Sequence, residues 1–366
     1  MKKIFFSIVA LAALAACSKS EVAYEATDEI GFMAVAGNMT KTAVEGTAYP
    51  TSLNMFIYAE TEDNELYIEN GEFKHKGTYH SVTNDTEHNA NPNVWAGWDS
   101  SEGEGTWYPY YWPNTKKLHF AGYSKSGNVA SADVDYDFTT EKLTIEGYKP
   151  GTSTDNDLMF FAKTAGYGKD DKIVPVDMYH TCAWITFLLK GDGVTGITGS
   201  TYKVTSLSIT DIYETGDLTC TGTTVAWSYL EEDGTTIKYP KTAVSNVLTT
   251  TKELAGTYTN EVTVNPITAE TTPGNTVLLP QVPGKLNLKY SYTSPALDTV
   301  EEEVIGLDLS LDTVVEDADA GDEVSRTPWE AGKHYIYTIT IKANEILIAP
   351  SVAVDWIDGN FNVTVE

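Results

Sequence analysis

A run that is apolar on both faces constrains this chain more than any other feature. After Tyr179-His180-Thr181-Cys182 the sequence reads Ala183-Trp184-Ile185-Thr186-Phe187-Leu188-Leu189-Lys190-Gly191, so Ala183, Ile185, Phe187 and Leu189 alternate with Cys182, Trp184 and Leu188. A strand with two apolar faces has to be covered on both sides, which predicts a central strand between packed layers. Upstream lies a second apolar run, Asn156-Asp157-Leu158-Met159-Phe160-Phe161-Ala162. Between them Gly166, Gly168, Lys169, Asp170, Asp171 and Lys172 mark an exposed crossing. This joint divides the chain into an N-terminal domain, 30–168, and a C-terminal domain, 169–366.

Period two dominates both halves. Strands are expected at Ile30 to Ala36, Leu53 to Ala59, Leu118 to Tyr123 and Leu143 to Ile145. In the second half they are expected at Ala183 to Leu189, Val204 to Asp211, Val277 to Leu279, Leu286 to Tyr292, His334 to Ile341, Ile346 to Ile348 and Val352 to Trp356. Tyr335, Tyr337, Ile339 and Ile341 share one face of their strand. The stretch Gly71 to Pro109 is long, polar and glycine-bearing, and reads as hairpin plus loop. No helical apolar face follows the N-terminal segment, so the class is all-β. At 366 residues the chain can bury two cores. Short strands punctuated by turns predict two antiparallel β-sandwiches.

The N-terminus carries its own signal. Met1-Lys2-Lys3 is basic, Ile4 to Ala16 is apolar but too short to span a bilayer, and Leu14-Ala15-Ala16-Cys17 places small residues before a cysteine. Residues 1–16 read as a lipoprotein signal peptide with Cys17 acylated, and 17–29 as a tether. The alternative is an ordinary secretory signal with an incidental cysteine. Cys182 and Cys220 then belong to an oxidising compartment, as a disulfide or as two buried thiols. With 52 acidic against 24 basic residues, a formal charge of -28 and Arg326 as sole arginine, the chain is unsuited to nucleic acid.

Candidate chemistry is sparse. Trp95, Trp98, Trp107 and Trp112 crowd together with Tyr108, Tyr110 and Tyr111, either as sugar-stacking surface or as a plug at the end of the first sandwich. His75, His80 and His88 beside Asp85 and Glu87 match no zinc spacing. Asp133, Asp135 and Asp137, and Asp317, Asp319 and Asp322, lack the order of a calcium loop. Nucleophile elbow, zincin helix and phosphate loop are all missing. No enzyme, cofactor or metal is expected, although fold-made carboxylate pairs are invisible to spacing.

The Asp157-Leu158-Met159-Phe160-Phe161-Ala162 run followed by Tyr179-His180-Thr181-Cys182-Ala183-Trp184-Ile185-Thr186-Phe187 resembles the fimbrillin family of Bacteroidota pilus subunits. So do Tyr110-Tyr111-Trp112-Pro113 running into Leu118-His119-Phe120-Ala121-Gly122-Tyr123, Trp329-Glu330-Ala331-Gly332-Lys333-His334-Tyr335, and Val354-Asp355-Trp356. The resemblance implies two tandem transthyretin-like β-sandwich domains in a cell-surface pilus subunit exported as a lipoprotein. It implies outer-membrane lipid as partner through Cys17, then other pilus subunits joined by donor-strand exchange. On that model the first strand, with Ile30 and Phe32, is cut away after Lys41, leaving Thr42 as N-terminus. A C-terminal segment carrying Phe361, Val363 and Val365 acts as donor. The alternatives are retention through Cys17 without cleavage, and a non-polymerising lipoprotein that binds glycans through Trp95 to Trp112.

Overall fold

The computed structural model describes residues 29–37, 54–75, 94–99, 106–125, 133–150, 158–171, 173–191, 201–242, 245–248, 252–254, 277–294, 297–309, 328–341 and 346–355. Within them the chain is all-β, with a 3-10 turn at Lys169–Asp171 and no α-helix. The N-terminal part supplies β1 (Gly31–Gly37), β2 (Asn54–Thr61), β3 (Leu66–His75), β4 (Trp95–Asp99), β5 (Thr106–Trp107), β6 (Leu118–Lys125), β7 (Val134–Asp137), β8 (Lys142–Tyr148), β9 (Met159–Phe161) and β10 (Ile173–His180). The C-terminal part supplies β11 (Ala183–Gly191), β12 (Thr201–Thr210), β13 (Gly216–Thr221), β14 (Thr224–Ser228), β15 (Ser245–Leu248), β16 (Lys252–Leu254), β17 (Val277–Leu278), β18 (Lys285–Ser294), β19 (Leu297–Asp308), β20 (Lys333–Ile341) and β21 (Ile346–Asp355).

The first sheet runs β1-β10-β9-β6-β2-β3-β4-β5 and curls until β1 also meets β4. Its inner face packs Phe32, Met55, Ile57, Phe73, Trp95, Phe120, Met159, Phe161, Val174 and Val176 into one core. Its outer face, with Tyr58, Tyr123 and Phe160, packs against a second sheet of order β14-β13-β8-β7. In the C-terminal part the sheets β17-β11-β20-β21 and β15-β12-β18-β19 enclose an aliphatic core of Ile185, Leu189, Val204, Leu207, Leu286, Leu288 and Ile339.

The two-faced run behaves as its pattern requires. Ala183, Ile185, Phe187 and Leu189 enter the C-terminal core, while Cys182 and Trp184 face the cluster over the N-terminal sheet. It is not, however, one strand from Tyr179 onward. Residues Tyr179 and His180 end β10, in the N-terminal sheet, and the chain changes sheets at Thr181 and Cys182. Thr181 fixes that crossing by donating both its N–H (3.0 Å) and its hydroxyl (2.6 Å) to the Leu158 carbonyl.

Pairing also crosses the 168/169 division. The strand β10 lies alongside β1 and β9, and β13 pairs with β8. A strand beyond the exposed crossing is needed to satisfy β1's backbone, and period two alone does not say which strand that is.

The stretch from Gly71 read as hairpin plus loop holds the antiparallel pair β4 and β5 and the end of β3. Its alternation is hidden by a bulge: the β2–β3 register shifts between Ile57 and Ala59, opposite Asn70, whose φ is 50°. The expected Ile346 to Ile348 and Val352 to Trp356 pieces fall, up to Asp355, on the single strand β21, with a register shift against Ile336 and Thr338, and Trp356 lies outside the described residues. No disulfide joins Cys182 and Cys220; both are buried thiols, and burial pushes the Cys220 thiol up.

Candidate functional site

The first strand is seated in a slot of its own making. Its Ile30, Phe32 and Ala34 point into the N-terminal core while Met33 is exposed, the alternation of a half-buried strand. One edge of β1 pairs in parallel with β10 from Gly31↔Ile173 to Gly37↔Tyr179. Among the described residues, the other edge meets β4 at Gly31↔Ala96 and Phe32↔Trp95. Just before the strand, the Ile30 N–H donates to the Tyr110 carbonyl at 2.7 Å, and Glu29 bridges to Tyr111.

Phe32 is the anchor. Its ring stands edge-on to Phe73 at 5.0 Å and to Phe120 at 5.1 Å, with Phe161 tilted beside it at 6.3 Å. Edge-to-face rings add about 0.5–1.5 kcal/mol each beyond area burial, so the pocket reads shape as well as hydrophobicity. Trp112 backs Phe120 edge-on at 5.7 Å, and Tyr110 stacks on Phe73 at 5.2 Å. Gly97 makes room for the Tyr108–Tyr110 segment: a Cβ there would stand 2.1 Å from the Tyr108 carbonyl oxygen. Burial, then the Tyr108 hydroxyl, raise the Tyr110 phenol above its ordinary range. The described side chains around Phe32 are apolar, which suits holding an extended chain.

The tryptophans are mostly spent on packing. Trp95, Trp98 and Trp112 are buried, and the backbone of Trp107 pairs with Trp98 in β5. Tyr108, about half exposed, reaches solvent. His75 is a strand residue packed 4.8 Å from Trp95 rather than a loop residue. Among the triplet Asp133, Asp135 and Asp137, the last caps its turn by accepting from the Thr139 N–H and the Thr140 hydroxyl.

Of the site residues expected from sequence, Ile30 and Phe32 are brought together with the slot. Cys17, Lys41, Thr42, Phe361, Val363 and Val365 lie outside the described residues. The partners of Phe32 were half legible: Phe120 and Phe161 stand in runs singled out above, whereas Phe73 sits behind the bulge that hid β3.

A family model described as fimbrillin-like matches residues 18–356, and one for a prokaryotic membrane lipoprotein lipid attachment site matches residues 1–18. Among solved structures, a fimbrial protein from Bacteroides vulgatus aligns at 12% identity with TM-score 0.50, over 89% of this chain and 99% of that one. A proposed cell-adhesion protein from Bacteroides uniformis aligns at 17% identity and TM-score 0.44, over 90% of this chain and 99% of that one. Another from Bacteroides ovatus aligns at 12% and 0.49, over 92% and 100%. No curated protein matches the chain.

Proposed function

The chain belongs to the fimbrillin-like family, and from that premise we propose that it polymerises by exchanging its first strand for a segment of a neighbouring subunit. At the coarser level it is a non-enzymatic pilus or adhesion subunit, exported as a lipoprotein and lipid-anchored at the cell surface. The observation that supports exchange is the seating of β1. Parallel pairing with β10, a two-position contact with β4 and one aromatic anchor describe a strand that can leave without unthreading the rest of the sheet. Its departure would expose backbone groups of β10 and an apolar groove, a combination that an extended peptide satisfies.

Cleavage after Lys41 would release the anchor at Cys17 together with β1 and leave Thr42 as the mature N-terminus. The segment with Phe361, Val363 and Val365 is the proposed donor, and the partners are other pilus subunits. Mass spectrometry of chains from assembled surface filaments tests the cleavage: N-termini at Thr42 are expected, and filaments built of chains that begin at acylated Cys17 would overturn it. Deleting residues 360–366 should leave a folded monomer that no longer assembles. Unfolding of that truncated chain would make the segment an integral strand and end its role as donor.

A further inference from the structure

We propose that Asn54 and Lys74 are a self-crosslinking pair, joined by an amide between their side chains with Glu72 carrying the protons. The three residues share the outer face of the β2–β3 hairpin. The registers Met55↔Phe73 and Phe56↔Glu72 bring Asn54 opposite Lys74 with Glu72 on the diagonal. A single carboxylate oxygen serves both partners: Glu72 Oε1 accepts from Asn54 Nδ2 at 2.9 Å and lies 3.7 Å from Lys74 Nζ. The Lys74 ammonium is held 4.5 Å above the ring of Trp98, which is itself buried. Both charged side chains are largely withdrawn from water, at 15% and 12% exposure. On the asparagine the amide oxygen is buried and makes no hydrogen bond.

The chemistry closes on these groups alone. Glu72 takes a proton from the Lys74 ammonium, and the free amine attacks Asn54 Cγ. The new Nζ–Cγ bond forms as the Cγ–Nδ2 bond breaks. Glu72 relays protons from Nζ to Nδ2, the nitrogen it already contacts, so ammonium leaves and the carboxylate is restored. The step occurs once per molecule and between groups already side by side, so a minor protonation state suffices. The product would clamp the open end of the hairpin, opposite the tight turn where Thr61 and Glu65 are bonded.

Tryptic mass mapping of the folded, exported protein tests this independently of strand exchange. In the unlinked chain, trypsin releases a peptide ending at Lys74. In the linked chain Lys74 is blocked, and the peptide 42–76 appears lighter than its sequence by the mass of ammonia, about 17 Da. Lys74→Arg and Glu72→Gln, which preserve length and most packing, should restore full mass, while circular dichroism confirms that each still folds. Full mass with cleavage at Lys74 in the unmutated protein would overturn the proposal. So would an ammonia loss that leaves Lys74 cleavable, since that marks a succinimide at Asn54. A crosslink that persists in Glu72→Gln would remove Glu72 from the chemistry as stated.

Discussion

Each part of the molecule holds one strand in parallel against one of two consecutive strands: β1 on β10, and β20 on β11. Their inward faces are equally well buried, Ile30, Phe32 and Ala34 in one case and Tyr335, Tyr337, Ile339 and Ile341 in the other. They differ at the second edge. β20 is bonded to β21 from Lys333↔Asp355 to Ile341↔Ile346, whereas among the described residues β1 touches β4 at two positions. β20 is further tied by the loop before it, where the Trp329 indole N–H donates to the Tyr337 hydroxyl at 2.8 Å and Gly332 N–H to the Cys182 carbonyl at 2.9 Å. Burial therefore does not distinguish β1 from β20; the second edge does.

The largest way to test that contrast is at the aromatic anchors. Phe32→Ala in the uncut chain should cost about 3–5 kcal/mol, the usual range for emptying a buried phenylalanine site. Phe187→Ala, beneath Tyr337 at 5.5 Å, should cost a similar amount. The two should part in a chain that starts at Thr42. There a synthetic peptide spanning Glu29 to Gly37 should raise the denaturation midpoint of the wild type and of Phe187→Ala. The same peptide with alanine for Phe32 should not. If both peptides act alike, the slot does not read the anchor.

Acid should strike the C-terminal part. His334 is buried, stacked on Trp184 at 3.8 Å with its Nε2 bonded to the Thr186 hydroxyl at 2.8 Å, and desolvation lowers its pKa from 6.5 to about 4. A depressed folded value means the unfolded chain takes the proton first. Stability from this group is thus whole above pH 6.5 and lost as the pH falls towards 4, by up to about 3 kcal/mol. Denaturant midpoints across that window should fall less steeply for His334→Gln than for the wild type; parallel slopes would refute the assignment.

Overpacking probes how tightly the small end of β1 is specified. Ala34 is buried, so Ala34→Leu should destabilise the uncut chain by about 1–3 kcal/mol. The smallest effect is expected at Met33, on the exposed face of the same strand. Met33→Gln should shift stability by no more than about 0.5 kcal/mol, and a larger loss would mean that both faces of β1 are read.

Much of the all-β architecture was legible because side-chain alternation is a local property. The strands β1, β2, β6, β11, β18 and β20 stand where period two placed them. Some strands were hidden where a bulge broke the period, as at Asn70 in β3, or where both faces carry polar residues, as in β19 with Glu301, Glu302 and Glu303. Ile173 to Met178 of β10 was not read as a strand, and its last two residues, Tyr179 and His180, were joined to the following run because nothing in Thr181-Cys182 announces a change of sheet; the cue is the Leu158 carbonyl, twenty-odd residues upstream. In the slot, Phe32 was readable from its own strand, but its clamp assembles Phe73, Phe120 and Phe161 from three other strands. Such long-range convergence leaves no spacing in the sequence.

The change of sheet at Thr181 and Cys182 has a mechanical meaning. A segment seated in the β1 slot lies lengthwise along β10, so a pull on it loads their hydrogen bonds together in shear instead of opening them one at a time. β10 hands that tension through two residues of backbone to β11, and β11 passes it sideways to β20, again lengthwise. Along that route, β1 to β10 to β11 to β20, stretch is resisted by covalent bonds and sheared ladders before any core has to open.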